Sequence, residues 1–482
     1  MGLSGLGLIA IVAGLAVLAL PAKWAATLML TSTVFGAAAA FSVPGLGGAS
    51  VLVPSMFLIF YAVRVFMAWG EGPILGSFKP FGAGFWLLLL TTYGLVAAFF
   101  FPRLMEGITE TMLVTRLVGG LSSISLIPLE PSGNNITQSV YAAGGLGCFA
   151  ISVAYYRRPG ALEDLYKAMI VVSIVNLSFA VIDVATWAVG AEFVLDFVHT
   201  ANYAFLTAAE KGGLKRISGS FPEASAFAGY TLALFSVNAS LWLDRVRPHV
   251  TGPVTLALLL ALALSTSATA YVGLISMLGF LTLRSLSAPV FGRKAQRPVL
   301  LVGLMVSAPV LLGIGMILLP GVADTVMGFM DEMLFNKLDS QSGQERMMWN
   351  AVAYKTFQDT GWLGAGIGSA RASSYLLVLL SNVGVPGLVL FALFLGSIAF
   401  IPPASHVDEL GRGVIRAARA GVLAGMAEAM TSGTVYDLGL LFYVLAGAIA
   451  ANQTELRASP RLPALGSFDG RRFASGSRRM GL

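Results

Sequence analysis

The chain has 482 residues, of which 56% are hydrophobic and only 11% are charged, and its formal net charge is +6. Soluble domains carry about 25% charged residues, so this composition excludes a water-soluble globular protein and indicates that lipid surrounds most of the chain. The single cysteine, Cys148, excludes an intramolecular disulfide, and the three histidines are too scattered for a metal site. We expect an all-α polytopic membrane protein that uses neither a metal ion nor another cofactor.

Short basic connectors set the predicted topology, because Lys and Arg resist translocation and mark the cytoplasmic side of a membrane. A transmembrane helix needs roughly 20 apolar residues, and stretches of this kind, which fill residues 3–452, predict about 12 to 14 such helices. Residues 1–452 are therefore expected to form a single transmembrane domain. The cytoplasmic connectors are Arg157-Arg158, Arg245 to Arg247, Arg293 to Arg297, and Arg412 to Arg419.

Two apolar stretches are too long for one helix each. Residues 252–283 would extend about 48 Å as a helix, whereas the hydrocarbon core is about 30 Å thick. One helix would also place its two basic flanks on opposite sides of the membrane. A break at Ser265 to Thr269 resolves both conflicts and predicts two helices joined by a hydroxyl-rich outer turn. The same reasoning predicts a break at Thr431 to Thr434.

Three longer polar segments then face the outer side, namely residues 102–137, 191–223 and 321–374. Loops on a rigid scaffold often carry function, and we expect helices within these loops, above all within the last. Residues 453–482 are rich in arginine, glycine, proline and serine and have few core-forming side chains. That composition predicts a disordered basic cytoplasmic tail that contacts anionic membrane lipids, and we expect no nucleic-acid partner.

The first candidate site lies at the end of the second outer segment. Lys215 and Arg216 precede a turn at Gly219, and Glu223 begins the next apolar helix. An arginine held by such a turn beside a helix N-terminus offers a fixed fork of donors to a phosphate group. Glu223 has two interpretations: a charge that stabilises the helix dipole by about 0.3 to 1 kcal/mol, or a general base at the membrane edge.

The second candidate site lies in the last outer segment. Arg346 and Trp349 are three residues apart, so one helical face would present a cation beside an aromatic ring, which suits a sugar with a charged leaving group. Glu345 precedes them, and Arg371 adds a cation after a glycine-rich stretch. The alternative for this segment is an interfacial helix with a tryptophan anchor.

The order of these motifs resembles that of the O-antigen ligase and Wzy-type polysaccharide polymerase family. Members show an Arg-x-x-Gly-x-Phe segment before a helix, a later Arg followed by Trp, a Gly-x-Gly-x-Gly turn, and Gly-x-x-Gly in a closing helix. The resemblance covers roughly Arg216 to Leu390. The matching residues are Arg216, Gly219 and Phe221; Arg346 and Trp349; Gly364, Gly366 and Gly368; and Gly384 and Gly387.

The resemblance implies a glycosyltransferase with the C-type membrane bundle, in the bacterial inner membrane with its active site on the periplasmic side. The donor is an oligosaccharide linked to polyprenyl pyrophosphate, the acceptor is a glycan, and a chain-length regulator is a possible further partner. Arg216 and Arg346 would bind the pyrophosphate and stabilise the charge that develops as it leaves. Glu223 is the leading candidate base and Glu345 the second. The expected substrate-binding residues are Lys215, Glu345, Trp349 and Arg371.

Two departures from the family pattern favour a polymerase over a ligase that transfers glycan to a lipid A core. The ligases carry a His-Asn type pair where this chain has Ser373-Ser374, and an arginine after a Ser-x-Ser turn where it has Ser267 to Thr269. A non-catalytic flippase or transporter stays open as a different class, because clustered arginines also suit the gating of an anionic lipid. Asp183 and Glu428 are further candidates, since charge within apolar stretches is costly.

Overall fold

The computed structural model of the protein describes residues 2–43, 49–116, 122–201, 210–211, 214–287 and 341–454. Within these ranges the chain is mostly helical. The described α-helices are α1 (Gly5–Leu18), α2 (Ala22–Ser32), α3 (Val53–Trp69), α4 (Gly72–Leu75), α5 (Ala83–Leu104), α6 (Gly133–Tyr156), α7 (Ala161–Ala188), α8 (Ala224–Leu243), α9 (Pro248–Leu264), α10 (Ala268–Ser287), α11 (Gln341–Asp359), α12 (Tyr375–Phe400), α13 (Glu409–Ser432) and α14 (Leu440–Ala451).

Short strands accompany the helices. An antiparallel three-stranded sheet has the order β1-β2-β3, and two antiparallel hairpins pair β4 with β5 and β6 with β7. The strands are β1 (Gly2–Leu3), β2 (Ala39–Val43), β3 (Ala49–Leu52), β4 (Glu110–Arg116), β5 (Ser122–Pro128), β6 (Glu210–Lys211) and β7 (Leu214–Lys215).

The described helices are those of a membrane protein with several spans. Six of them, α5, α6, α7, α8, α10 and α12, are long and apolar enough to cross a bilayer. The pair Val53–Trp69 and Gly72–Phe78, bent by 112°, adds a seventh if it is one span, and α1, α9 and α14 are shorter apolar helices. The total of 12 to 14 spans stays a prediction, because residues 288–340 lie outside the described residues, as do the basic connector Arg293 to Arg297 and the tail after residue 454.

Both predicted helix breaks are confirmed. α9 ends at Leu264 and α10 begins at Ala268, with Thr266 between them at a φ of +48°. The Ser265 hydroxyl donates to the Leu262 carbonyl at 2.8 Å, which competes with continued helix bonding. The second break separates α13 from α14. The last outer segment contains α11, as expected for a loop with its own helix.

The first outer segment was expected to be helical, and this expectation is wrong. It contains the β4–β5 hairpin, in which Thr111 pairs with Ile127 and Val114 with Ile124. β-branched side chains favour strands because they pack well on a pleated surface and lose rotamer freedom in a helix. The all-α fold class therefore holds for the helical bundle, whereas the loops include β structure.

Arg412 to Arg419 were expected to form a connector but lie inside α13. Asp408 caps this helix, because its side chain accepts a hydrogen bond from the Gly411 N–H at 2.8 Å, so the helix begins before the arginines. Arg416 forms an ion pair with the buried Asp244, at 2.5 Å. Packing against a neighbouring helix thus accommodates charges that the sequence pattern assigned to a loop.

α8 occupies the interior of the bundle and is buried along most of its length, with α7, α9, α10 and α13 around it. Small residues let α13 approach it closely: a Cβ atom at Gly421 would lie 2.7 Å from a Val237 methyl carbon. This contact matters for the site, because α8 begins at the first candidate motif and α13 carries Glu428.

The orientation of the bundle can be tested with two exposed positions at opposite ends of α6. We expect Glu130→Cys to react with an impermeant thiol reagent in intact cells, and Pro159→Cys to react only after the inner face is opened. Cys148 is buried and would be replaced by alanine as the background. The reverse order of labelling would overturn the proposed orientation, and equal labelling in intact cells would contradict α6 as a span.

Candidate functional site

Asp183, near the C-terminal end of α7, fixes the turn that follows Arg216. Its Oδ2 accepts hydrogen bonds from the backbone N–H groups of Ser218 at 2.7 Å and Gly219 at 2.9 Å, and from the Ser218 hydroxyl at 3.2 Å. Its Oδ1 lies 3.5 Å from the Lys215 ammonium, and these two side chains are only 4% and 3% exposed. Gly219 has a φ of +56°, a left-handed conformation that favours glycine. One buried carboxylate therefore shapes the turn.

Further contacts hold the turn from the segment after α2 and from the loop after α7. The Ser220 hydroxyl donates to Val34 O at 2.7 Å, and Ser220 O accepts from Ala37 N at 3.1 Å. His199 Nε2 donates to Gly219 O at 3.0 Å, and burial lowers the pKa of His199, so its ring is neutral at pH 7. The backbone of the turn is thus restrained from several sides.

Arg216 is half-buried at the start of this turn. Its Nε atom is shielded from solvent and makes no hydrogen bond with any described residue. A buried donor without a partner costs about 1 to 3 kcal/mol, so this nitrogen is suited to a ligand that accepts hydrogen bonds. Lys215, in contrast, is directed at Asp183. The structure gives Lys215 a structural contact in the interior and does not place it with Arg216 on one open surface.

Glu223 occupies the N-cap position of α8 in an extended conformation, with φ −157° and ψ 161°. Its carboxylate makes no side-chain capping bond to the helix; instead Oε1 accepts a hydrogen bond from the Ser225 hydroxyl. The hydrogen bond of a conventional N-cap residue is therefore missing at this helix start. The half-buried carboxylate of Glu223 therefore lies at the N-terminal end of α8, next to the turn that follows Arg216.

Glu428 of α13 lies against the same end of α8. A Cβ atom at Gly229 would lie 2.6 Å from the Glu428 carboxyl carbon, so only glycine leaves room for this side chain. The Ser432 hydroxyl donates a hydrogen bond to Glu428 Oε1. The charges of Glu223 and Arg346 also lie within electrostatic range of the Glu428 carboxylate. Three charged residues from α8, α11 and α13 thus form one cluster, which we call the charged cluster.

α11 brings the second candidate motif to this cluster. Arg346 and Trp349 are half-buried, and Trp349 Nε1 is shielded from solvent without a hydrogen-bond partner among the described residues. Glu345 is also half-buried and has contacts of its own. Asn350, one helical turn after Arg346, accepts a hydrogen bond from Ser373 N at 2.8 Å. That bond ties α11 to the loop that carries Arg371.

The glycine motifs build packing contacts. Gly364, Gly366 and Gly368 have φ values of +82°, +94° and +86°, and a Cβ atom on each would lie 2.5 to 2.6 Å from backbone atoms of α12, α5 and α6. Asn382 Oδ1 accepts a hydrogen bond from Gly368 N at 2.8 Å. Gly384, with φ +60°, interrupts α12 where the turn packs against it. These glycines allow close backbone approach between three helices.

A polar pocket lies beside the glycine-rich turn; its empty space is about 300 Å³ with the open mouth included, and its enclosed part has room for about two water molecules. It is bounded by α6, by the loop before α12 and by the connector between α13 and α14. We call it the amide pocket. Its polar lining includes Asn134, Gln138, Arg371, Asn382 and Thr434. Arg371 therefore belongs to this pocket, whereas Arg346 belongs to the charged cluster.

Asp437, in the connector between α13 and α14, is a carboxylate that sequence reasoning missed. Its Oδ1 atom is shielded from solvent and has no hydrogen-bond partner among the described residues. Burial raises the pKa of Asp437 to about 7. The folded state therefore holds a proton that the unfolded chain releases near the ordinary Asp pKa of about 3.9.

Stability should accordingly fall as the pH rises from about 4 to about 7, and then level off, because the unfolded state binds fewer protons than the folded state in this window. We expect Asp437→Asn to flatten this slope in thermal unfolding measured between pH 5 and pH 8. Asp196→Asn, at an exposed loop position, should keep the wild-type slope. If Asp437→Asn and wild type show the same slope, the carboxyl group is solvated in the folded protein.

Comparison with protein-family models, with curated proteins and with solved structures finds no match. Among the described residues, no three His, Cys, Asp or Glu side chains lie close enough to hold a metal ion together.

Proposed function

We propose that the protein is a membrane glycosyltransferase that polymerises polyprenyl-pyrophosphate-linked oligosaccharide units into a surface polysaccharide or exopolysaccharide. The observation that supports it best is the charged cluster, in which Glu223 and Arg346 lie within electrostatic range of Glu428. Glu223 also begins the helix that follows the fixed Arg216 turn. Guanidinium groups suited to pyrophosphate and a carboxylate suited to proton transfer are then parts of one site.

In the proposed reaction, Arg216 and Arg346 bind the pyrophosphate of the donor through their guanidinium forks. An acceptor hydroxyl attacks the anomeric carbon from the side opposite the pyrophosphate, so the configuration inverts. The new C–O bond forms as the bond to the phosphate oxygen breaks, and that oxygen keeps the electron pair. The hydroxyl proton passes to Glu223, while the two arginines stabilise the charge on the leaving pyrophosphate. The arginines take the neutralising role that a metal ion has in other transferases.

The proposal places this site on the outer face of the bacterial inner membrane, in a bundle of 12 to 14 spans. The lipid tail of the donor requires a groove between helices, and a chain-length regulator would be a further partner. Trp349, three residues after Arg346, offers an aromatic ring and an indole N–H that has no partner among the described residues, for a sugar near the pyrophosphate. Glu345 stays a second candidate base.

The decisive experiment incubates purified protein with a lipid-linked repeat unit in the absence of any nucleotide sugar. We expect a ladder of glycans that grow by whole repeat units. Transfer to an added lipid A core without a ladder would identify a ligase instead. Movement of the lipid across a vesicle membrane, with no new glycosidic linkage, would identify a transporter.

The arginine roles give a sharper test. We expect Arg216→Lys and Arg346→Lys each to lower the ladder-forming rate roughly 10-fold to 100-fold, since a point ammonium does not reproduce a hydrogen-bonding fork worth about 1.5 to 3 kcal/mol. Arg103→Lys is the matched control, because Arg103 is exposed and lies at the start of the first outer segment. Normal turnover in both site variants would show that these arginines do not bind the leaving group.

A further inference from the structure

The amide pocket differs in chemistry from the charged cluster. Its polar lining is mainly neutral, with amides at Asn134, Gln138 and Asn382 and a hydroxyl at Thr434. Sugar hydroxyls both donate and accept hydrogen bonds, and amide and hydroxyl groups do the same. Arg371 is the one cation that lines it, and the ring of Tyr436 adds apolar surface. A neutral, hydroxyl-rich ligand matches this lining better than an anion or a lipid tail.

One polar group in the lining, the side-chain oxygen of Gln138, is left without a hydrogen bond from a described residue. This Oε1 atom is shielded from solvent. A buried acceptor left unpaired is costly, so a donor group on a ligand would be favoured there. Asn382, on the other hand, already bonds the glycine-rich turn, and it forms a fixed wall of the pocket.

Two short chain connections link the amide pocket to the charged cluster. Thr434 lies two residues after Ser432, which bonds Glu428, and two residues of extended chain span at most about 7 Å. Arg371 lies two residues before Ser373, whose N–H bonds Asn350 on α11, one turn from Arg346. A ligand in the pocket would therefore lie near Glu428 and near the first turns of α11, on the side of the charged cluster.

The size of the amide pocket limits further which ligands it can bind. Its enclosed part has room for only about two water-sized groups and the rest opens to solvent, so it admits the hydroxyl-bearing edge of one ring and not a long oligosaccharide. We infer that the amide pocket binds the hydroxyl-bearing edge of one sugar residue of the acceptor glycan and so orients that residue toward the charged cluster. This assignment rests on the proposed glycosyltransferase function, and it names the subsite that orients the acceptor.

The test measures the KM for the acceptor and the KM for the donor separately. A repeat-unit oligosaccharide released from its lipid by mild acid has no pyrophosphate, so it serves only as acceptor, while the intact lipid-linked unit is the donor. We expect Gln138→Leu and Thr434→Val each to raise the KM for the released oligosaccharide about 10-fold, the effect of one lost hydrogen bond, with the donor KM unchanged. Gln358→Leu, at an exposed position on α11, is the matched control and should change neither constant.

Each other outcome overturns the inference in a recognisable way. A rise in the donor KM alone would show that the pocket holds a donor sugar, and unchanged constants in both variants would show that it holds only solvent. Thermal unfolding identifies a variant that is misfolded, and the KM values of the other variant then decide the test.

If wild type transfers no sugar, the proposed function fails, and saturation-transfer NMR with the released oligosaccharide tests binding to the pocket separately. Signal with wild type that is lost in Thr434→Val supports binding, and no signal with wild type excludes it.

Discussion

Replacing Glu223 with glutamine should lower the ladder-forming rate by roughly 100-fold or more, while the lipid-linked donor still binds. The amide preserves the shape of the side chain and its hydrogen bond from Ser225, but it cannot accept the proton of an acceptor hydroxyl. Because Glu223 makes no side-chain capping bond to α8, the loss of its charge should cost only the helix-dipole effect of about 0.3 to 1 kcal/mol. The Glu223→Gln variant should therefore lose most of its ladder-forming rate and little of its stability.

Single-turnover rates with saturating donor provide the measurement, together with a donor-binding isotherm. Glu192→Gln is the control, since Glu192 is an exposed acid in the same outer loop. A Glu223→Gln enzyme with a normal rate would remove Glu223 from the mechanism. The same assay on Glu428→Gln and Glu345→Gln would then show which of the two remaining carboxylates accepts the proton.

Replacing Asp183 with alanine should destabilise the protein by about 3 to 5 kcal/mol, the usual cost of removing one partner from a buried ion pair. Lys215 would be left charged in the interior, and the backbone N–H groups of Ser218 and Gly219 would lose their acceptor. The turn after Arg216 would no longer be held, so we expect activity to fall with stability.

Thermal unfolding in detergent measures the effect, with Asp196→Ala as an exposed control. Combining Asp183→Asn with Lys215→Met removes both charges of the pair, and we expect this double variant to be more stable than Asp183→Ala. Wild-type stability in Asp183→Ala would show that the carboxylate does not hold the turn. Recovered stability without recovered activity in the double variant would indicate that the turn needs the charged acceptor itself.

Several features of the bundle follow from local composition and were predictable for that reason. Stretches of about 20 apolar residues form spans whatever their neighbours are, because an unpaired backbone group in lipid is too costly. The break at Ser265 follows from helix length and hydroxyl competition. The hairpin at Thr111 was missed, because short strands and helices compete closely and only cross-strand pairing decides between them.

The candidate site was predictable in its parts and unpredictable in its assembly. Arg216, Arg346 and Glu223 could be selected from residue type and motif order. Asn382 carries no sequence signal for its bonds to the glycine-rich turn, and Asp437 becomes notable only through its burial. Such roles depend on which groups surround a side chain, and those groups come from distant parts of the chain.

The sequence by itself determined that this is a helical membrane protein, where its helices break, and which arginines are candidates for binding an anion, because hydropathy, helix length and charge act locally. Only the tertiary structure decided what those residues meet. It directed the Asp183 carboxylate to a turn 35 residues later in the chain, directed Lys215 inward, and brought Glu428 within electrostatic range of Glu223 and Arg346. These pairings depend on how α7, α8, α11 and α13 pack, and helix packing is decided by the fit of side chains that are far apart in sequence.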